Sequence, residues 1–443
     1  MSEPGLFGEL PEAVSGKVEW LGNPRMRSPV RDQIEWQFVD VDGLIGSEHP
    51  ARIIWAYVEK LDLSELEEAI KAREHVRGQA PANRGLLLAL WLYATSQKVG
   101  SARELARLCE NHNAYRWLCG GVSVNYHGLA DFRVAHPELI KRLLCENVAA
   151  LSVTGVISLD EVTQDGVRVR SGAGARSFRR RKTLAKELRK ATRLVEQLSA
   201  EAESDPAASS RRIKAAQERA AREREAKVSA ALARLGELEE ERKRRGRTNK
   251  KDVAKQGEPR ASTTDPQARV MKMADGGYRP AYNCQISTVA KGQIVVAAYA
   301  ETNGSDRGLM RPMLDEVQRD YGRLPKRHLV DGGFNNNGDT EWAASQGVKV
   351  YGPPPKSKHR TDPYAPRDDD GPGVAQWRRR MRSPHGKGVY KRRVMTECIN
   401  ARFRQWGLQQ FTVRGKQKAT TVLNWFGLAN NILAGHRLLS LAA

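Results

Sequence analysis

The chain has 443 residues, more than one ordinary hydrophobic core accommodates, so two or three domains are expected. Its 40% hydrophobic and 28% charged residues are typical of a soluble globular protein, and its longest charge-free apolar stretch, residues 85–97, is too short to cross a bilayer. Lysine and arginine number 74 against 52 acidic residues, and the net charge of +22 predicts a polyanionic partner. Nucleic acid is the first candidate and an anionic membrane surface the second, with a merely soluble or ribosome-associated basic protein as the alternative.

The cysteines and the N-terminus indicate the compartment. The five cysteines lie far apart and include no C-x-x-C pair, so neither a zinc site nor a disulfide framework is predicted. The chain begins Met-Ser-Glu-Pro, without a basic run followed by an apolar run, and a secretory signal is therefore not expected. Both features favour the cytoplasm.

The first third of the chain is predicted to be helical. Residues 1–45 are rich in glycine and proline and are predicted to form an extended arm, whereas residues 46–150 carry apolar residues at helical spacing. Ser101 and Glu104 fit a capping box at the start of one helix, and a second, basic helix is expected at Tyr126–His136. The interval between these two helices is long for the simplest helix-turn-helix. A DNA-reading domain and a purely structural helical bundle therefore both remain open.

A strand and a long charged insertion follow. Residues 155–170 are rich in β-branched residues with period-two alternation, which predicts a strand. Residues 178–255 are highly charged, and Leu184, Leu188 and Ala191 begin an apolar series with alternating spacings of four and three. That spacing predicts a coiled-coil hairpin of two antiparallel helices. Its basic faces are compatible both with gripping DNA and with a solvated hairpin that packs only on itself.

Strand and helix patterns then alternate to the C-terminus. Strands are predicted at 278–289, 293–300, 328–331 and 347–351, and helices at 306–320, 387–406 and 418–439. The polar, proline-rich segment Pro353–Gly388, which contains Asp368-Asp369-Asp370, is predicted to be a mobile loop. The order predicts an α/β domain at 151–441, built on a mixed sheet flanked by helices and interrupted by the insertion.

Three acidic residues occupy positions where such a fold brings carboxylates together. Asp165 lies in the first strand, Asp331 ends a later strand before two glycines, and Glu397 lies in a basic C-terminal helix. Cleavage of a phosphodiester by two divalent metal ions requires hard oxygen ligands, which carboxylates supply. Asp160 and Glu161 are rivals for the first position, because strand alternation alone does not decide among them.

The C-terminal helix carries a recognisable signature. In YKRRVMTECINARFR, Tyr390, Arg393 and Glu397 fit the pattern Tyr-x2-Arg-x3-Glu, and Arg404 follows. This resembles the Tyr-Arg-Glu-Lys signature of DDE transposases of bacterial insertion sequences. The segments TQDGVRVRSGAG and HLVDGGFNN look like those around the first and second catalytic aspartates of that group. ARIIWAYVEKLDLSELE and RGLLLALWLYA are similar to its N-terminal domain, so the resemblance extends from about residue 35 to nearly the end of the chain.

The resemblance implies an RNase H-like catalytic domain that cleaves DNA and transfers strands at insertion-sequence ends. It implies that two Mg²⁺ or Mn²⁺ ions are bound by three carboxylates, those of Asp165, Asp331 and Glu397. It implies that transposon-end DNA is held by Tyr390, Arg393 and Arg404. The expected partners are the terminal inverted repeats, target DNA and a second copy of the chain, in a homodimer formed on nucleoid DNA.

One departure and two alternatives accompany this interpretation. Arg404 stands where the family has lysine, which keeps the charge but replaces an ammonium by a planar fork, so a phosphate contact is expected to survive. A catalytically inactive DNA-binding protein derived from a transposase is one alternative function. An RNase H-like nuclease without strand transfer is the other.

Overall fold

The computed structural model of the chain describes residues 38–68, 70, 80–204, 208–248, 257–355 and 362–442. Most of the predicted arm at 1–45, namely residues 1–37, lies outside these described residues. The described residues from Val41 onward form one compact unit. No helix in the described part of the chain is long and apolar enough to cross a membrane.

The N-terminal region is all-helical, as predicted. Its helices are α1 Pro50–Val58, α2 Ser64–Glu68, α3 Arg84–Ser96, α4 Ala102–Asn111, α5 Asn113–Cys119, α6 Tyr126–Ala135 and α7 Pro137–Val153. Helix α3 is buried along almost its whole length and forms the centre of the bundle. The side chain of Ser101 caps α4 by accepting a hydrogen bond from the backbone N–H of Glu104. Because α5 lies between α4 and α6, the pair is not a simple helix-turn-helix, and DNA reading by this region stays a prediction.

A mixed sheet lies at the centre of the remaining chain. The strands are β1 Glu161–Arg170, β2 Phe178–Arg179, β3 Ala261–Ser262, β4 Arg269–Lys272, β5 Tyr278–Val289, β6 Val295–Glu301, β7 Arg327–Val330 and β8 Lys349–Tyr351. Six of them form one sheet in the order β4-β5-β1-β7-β8, with β6 also paired to β5. Strand β1 runs antiparallel to β5 and parallel to β7, which in turn runs parallel to β8. The strands predicted at 278–289 and 293–300 are present as β5 and β6, which pair as an antiparallel hairpin.

Helices cover both faces of this sheet. They are α10 Met310–Tyr321, α11 Asn337–Ser345, α12 Pro372–Arg382, α13 Pro384–Lys391, α14 Val394–Gln405 and α15 Lys416–Ala442. Ile399 and Phe403 of α14 pack with Ile286 of β5 on one face, whereas Met313 of α10 packs with Val296 of β6 on the other. A mixed sheet between helical layers, preceded by an all-α region, confirms the RNase H-like fold class predicted from the sequence.

The charged insertion folds as two long helices, α8 Arg181–Ser204 and α9 Ala208–Thr248. They pack on each other through buried apolar residues that include Leu184, Val228 and Leu235. Within the described residues, the insertion contributes no strand to the six-stranded sheet. The short strand pair β2–β3 lies beside the two helices. Residues 205–207 and 249–256 of the predicted hairpin at 178–255 lie outside the described residues. The domain boundaries at 46–150, 151–441 and 178–255 stay predictions.

The prediction of a mobile loop at Pro353–Gly388 is wrong where the structure describes it. Residues 372–382 form α12 and residues 384–391 form α13, while 356–361 lie outside the described residues. Trp377 is buried and donates a hydrogen bond of 3.0 Å from Nε1 to the carbonyl of Gly352. The Nε atom of Arg378 lies 2.6 Å from Oδ2 of Asp370, and both side chains are almost fully buried. These buried contacts hold a polar segment in a defined conformation.

Candidate active site

The register of β1 and β7 brings two of the predicted acids together. The parallel pairing ends at Gln164 opposite Val330, and the next residues along the two strands are Asp165 and Asp331. Neighbouring parallel strands present their carboxyl ends at the same sheet edge, which is where open α/β sheets place their ligands. Two carboxylates therefore lie side by side where the two-strand ladder ends.

Helix α14 is anchored beside this edge by polar contacts. The hydroxyl of Thr396 is buried against those of Thr163 and Thr288, the latter at 3.1 Å. One turn further, Nδ2 of Asn400 donates a hydrogen bond of 2.8 Å to Oδ2 of Asp165. Glu397 lies between these two anchors on the helix, and its side chain is about half exposed. The third predicted acid is thus held next to β1 with its carboxylate accessible.

One guanidinium group contacts two of the three acids. Arg393 donates a hydrogen bond from Nη2 to Oε1 of Glu397, and its Nη1 lies 3.8 Å from Oδ1 of Asp165. The Cζ atom of Arg393 also lies 5.8 Å from the centroid of the Tyr390 ring. A single cationic group in contact with both carboxylates shows that Asp165 and Glu397 face a common point.

The electrostatics of Asp165 reflect these neighbours. Burial is the largest influence and raises the pKa of this carboxyl above its usual value, while the positive charge of Arg393 lowers it. The negative charges of Asp331 and Asp306 raise the pKa further. A partly buried carboxylate with two negative neighbours favours a bound cation, because a cation compensates charges that solvent reaches poorly.

The donor set fits a hard divalent cation. Asp165, Asp331 and Glu397 offer carboxylate oxygens, which are the ligands that Mg²⁺ prefers in proteins. Within the described residues, no three His, Cys, Asp or Glu side chains stand close enough together to form a ready-made metal cage. The contacts of Arg393 and the register of the two strands are therefore what indicates convergence of the three acids.

The two rivals for the first acid have other partners. Asp160 accepts hydrogen bonds from Lys326, at 2.9 Å, and from Arg323. Glu161 lies 3.1 Å from Nη1 of Arg327 and also pairs with Arg392. Both acids belong to ion pairs at the beginning of β1, and Glu161 is about 13 Å along an extended strand from Asp165. Asp165 is the one of the three whose position in the register adjoins Asp331.

The predicted helix at 387–406 is wrong in one respect, because it is two helices. Helix α13 ends at Lys391 and α14 begins at Val394. The break directs consecutive side chains to different acids of β1: Arg392 pairs with Glu161, and Arg393 contacts Asp165. The break also places Glu397 in the first turn of α14, where the helix dipole favours a carboxylate.

Arg404 lies apart from the other signature residues. It is exposed in the last turn of α14, seven residues and about 10 Å along the helix from Glu397. There it lines a surface depression together with three further arginines, Arg168, Arg170 and Arg279, and one acid, Asp275, which pairs with Arg279. The structure therefore groups Tyr390, Arg393 and Glu397 with Asp165, and places Arg404 in a separate basic depression.

Sequence reasoning missed two residues of the site. Asn400 holds Asp165, and its spacing of three from Glu397 on the same helix is the signal that could have identified it. Asp306 acts on the charge of Asp165 although it lies 141 positions away in the chain. The sequence predicted Asp306 only as the first residue of a helix. In the structure Asp306 precedes that helix, which begins at Met310.

Comparison with protein families gives two matches. Residues 39–134 match the family model described as Transposase domain (DUF772), and residues 241–430 match the one described as Transposase DDE domain. The first covers the helices from α1 to α6, and the second includes Asp331, Glu397 and the whole signature, while Asp165 lies outside both. No curated protein and no solved structure matches the chain.

Proposed function

Because the chain belongs to the DDE transposases of bacterial insertion sequences, we propose that Asp165, Asp331 and Glu397 are the carboxylates with which it cuts and joins DNA. The chain is a DNA transposase, an enzyme of the polynucleotidyl transferase type. The observation that carries the assignment is the register of β1 and β7, which makes Asp165 and Asp331 neighbours where the parallel pairing of the two strands ends.

Different elements of the fold hold the three acids in position. Asp165 lies within β1 where its pairing with β7 ends, Asp331 directly follows β7, and Asn400 fixes the orientation of the Asp165 carboxylate. Glu397 comes from α14, which the buried hydroxyl of Thr396 fastens to β1 and β5. Carboxylates held by three separate elements keep their geometry when DNA binds, and such preorganisation is what a metal-dependent reaction requires.

The proposed cofactor is a pair of Mg²⁺ or Mn²⁺ ions. When bound, two divalent ions supply Lewis-acid chemistry to the attacking and the leaving oxygen of a phosphodiester. The role of Asp165, Asp331 and Glu397 is to hold them. The role of Arg393 is to balance the charge of Asp165 and Glu397 and to offer its guanidinium to a phosphate of the transposon end.

We propose that the phosphate backbone of the DNA runs across a basic part of the protein surface. The depression formed by Arg168, Arg170, Arg279 and Arg404 lies at the far end of α14 from Glu397, which suits a phosphate backbone that continues past the cleavage point. Tyr390 beside Arg393 is proposed to stack on a base at the transposon end. Two transposon ends require two active sites, so we assign the working form as a homodimer assembled on DNA.

The test is a cleavage and joining assay with the full chain. The substrate is DNA that carries the terminal inverted repeat of its own insertion sequence, incubated with target DNA and Mg²⁺. The expected result is strand cleavage followed by joined products, both abolished by EDTA. Cleavage without joined products would instead identify a nuclease, and end binding without cleavage in either Mg²⁺ or Mn²⁺ would identify an inactive DNA-binding protein.

A further inference from the structure

Asp306 lies on the loop between β6 and α10 and is tightly held through one of its oxygens. Its Oδ1 accepts a hydrogen bond of 2.7 Å from Nδ2 of Asn283 and another of 2.9 Å from Nε2 of Gln285. Both amides belong to β5, the antiparallel neighbour of β1, and both residues are fully buried. The carboxylate is therefore fixed against the sheet in one orientation.

Gly166, the residue after Asp165, makes room for this carboxylate on the other face of β1 from the Asp165 side chain. A Cβ atom on Gly166 would lie 2.3 Å from Oδ1 of Asp306 and 2.7 Å from Nε2 of Gln285. Non-bonded atoms do not approach so closely, so the position requires glycine. The absence of a side chain after Asp165 thus admits a further acid beside β1.

The second oxygen of Asp306 is turned toward the other acids. A Cβ atom on Gly333 would lie 3.9 Å from Oδ2 of Asp306 and 4.0 Å from Oδ2 of Asp331, so both oxygens face the same small region. The nearest cationic group to Oδ2 of Asp306 in an ion pair of the described residues is Arg168, with Nη2 at 3.8 Å. That distance is longer than a hydrogen bond, so this oxygen retains capacity for a ligand.

A buried amide oxygen lies close to Asp306, near Gly166. The Oδ1 atom of Asn283 would lie 3.0 Å from a Cβ atom on Gly166, and it has no hydrogen-bond partner among the described residues. Asn283 is fully buried, and a buried acceptor without a donor destabilises the fold. The water ligands that Mg²⁺ usually retains are strong donors, and they would satisfy such an oxygen.

We propose that Asp306 is a fourth carboxylate of the metal site, held by Asn283 and Gln285 with its second oxygen directed toward Asp331. The inference rests on the proposed function, since it adds a ligand to the site of Asp165, Asp331 and Glu397. The ligand is a hydrated divalent cation of the Mg²⁺ or Mn²⁺ type. In the competing interpretation, Asp306 is only a structural acceptor for two amides and a counter-ion of Arg168.

The test is the affinity of the full chain for Mn²⁺, measured by calorimetry without DNA. Asp306→Asn keeps an oxygen that can accept from Asn283 and Gln285 but removes the charge. The expected result is an affinity at least about tenfold weaker, as for other residues that support a bound metal. Asp315→Asn, an exposed aspartate on α10, is the matched control and should bind Mn²⁺ unchanged.

The same measurement on Asp331→Asn separates this inference from the proposed function. If Asp331→Asn weakens Mn²⁺ binding and Asp306→Asn does not, Asp306 is structural and the inference is overturned while the proposed site stands. If neither Asp165→Asn nor Asp331→Asn changes the affinity, the proposed site itself fails. Should Asp306→Asn not fold, Asp306→Glu, which displaces the carboxylate by one methylene, takes its place. The same loss is then expected, and an unchanged affinity would overturn the inference.

Discussion

The side chain of Asn400 donates a hydrogen bond of 2.8 Å from Nδ2 to Oδ2 of Asp165, and so joins α14 to the middle of β1. The bond leaves Oδ1 of Asp165 on the side of Arg393. It also sets the position of Glu397, which precedes Asn400 by three residues on the same helix face. The geometry of two proposed metal ligands therefore depends on one amide.

Replacement of Asn400 by alanine should weaken catalysis and spare DNA binding. Without its donor, the Asp165 carboxylate can rotate, and loss of such a supporting residue typically costs about 10–100-fold in metal affinity or activity. The measurement is single-turnover cleavage of end DNA across a Mg²⁺ titration, in which the variant should need more Mg²⁺ for half-maximal rate. Asn111→Ala, at the exposed end of α4, is the control. An unchanged Mg²⁺ dependence for Asn400→Ala would contradict the role assigned to this amide.

The choice between Asp165 and Asp160 for the first acid of the site is decided by a paired substitution. Asp165→Asn should lower cleavage by orders of magnitude, because the metal site loses a charged ligand. Asp160→Asn should leave cleavage within a few-fold of the unaltered protein, because Asp160 pairs only with surface cations. Loss of those pairs should cost less than about 1 kcal/mol of stability. The comparison is a cleavage assay with both variants. An equal loss of cleavage rate in both would contradict the choice of Asp165 over Asp160.

Replacement of Arg404 should weaken DNA binding, whereas replacement of Arg393 should weaken both DNA binding and cleavage. Arg404→Ala removes one arginine of the basic depression, so end binding should weaken and its log–log salt slope should flatten by about one unit. Arg404→Lys should restore the slope, because it restores the charge. Arg393→Ala should reduce cleavage as well as binding, because Arg393 contacts both Asp165 and Glu397. Salt titrations of binding beside cleavage rates give both results, and an Arg404→Ala slope equal to that of the unaltered protein would remove Arg404 from the DNA path.

His328 should make the fold sensitive to acid. It is fully buried in β7, and burial lowers its pKa to about 3, whereas in an unfolded chain the pKa is near 6.5. Below about pH 6.5, this histidine binds a proton in the unfolded chain but stays neutral in the folded chain. The free energy of unfolding should therefore fall by up to about 1.4 kcal/mol per pH unit from this residue alone.

The check is chemical denaturation at pH 7.5 and pH 5.5. The stability lost between the two should be smaller in His328→Leu than in the unaltered protein, and unchanged in His127→Leu, which replaces an exposed histidine. An equal loss in His328→Leu would show that other groups account for the acid sensitivity.

The sequence was sufficient to predict the class of fold and to propose three acids for the site. Period-two alternation located β1, an apolar run ending in an acid located β7, and the Tyr-x2-Arg-x3-Glu signature located Glu397. It could not predict the register that makes Asp165 and Asp331 neighbours, because register is set by pairing between residues far apart in the chain. For the same reason Asp160 and Glu161 remained rivals until their ion-pair partners were visible.

Two features had no local signal at all. The segment containing α12 looked like a loop because its polar residues outnumber the apolar ones, yet Trp377 and the buried pair Arg378–Asp370 hold it against β8. Asp306 looked like a helix-starting residue, and only the close approach of its loop to Gly166 reveals that it lies near the proposed site. In both cases contacts between residues far apart in the chain outweighed the local sequence pattern.

The replacement of Glu397 by glutamine tests the central claim most directly. The substitution keeps size and helix propensity but removes a charge that the metal pair requires, while DNA binding rests on lysine and arginine contacts with phosphates. Glu110→Gln, an exposed glutamate on α4, is the matched control. The measurement is Mg²⁺-dependent cleavage of transposon-end DNA beside a salt titration of binding. Cleavage by Glu397→Gln reduced by orders of magnitude, with end binding retained, is the predicted result. Cleavage at the rate of the unaltered protein would show that Glu397 is a surface glutamate and that the three carboxylates do not form the active site.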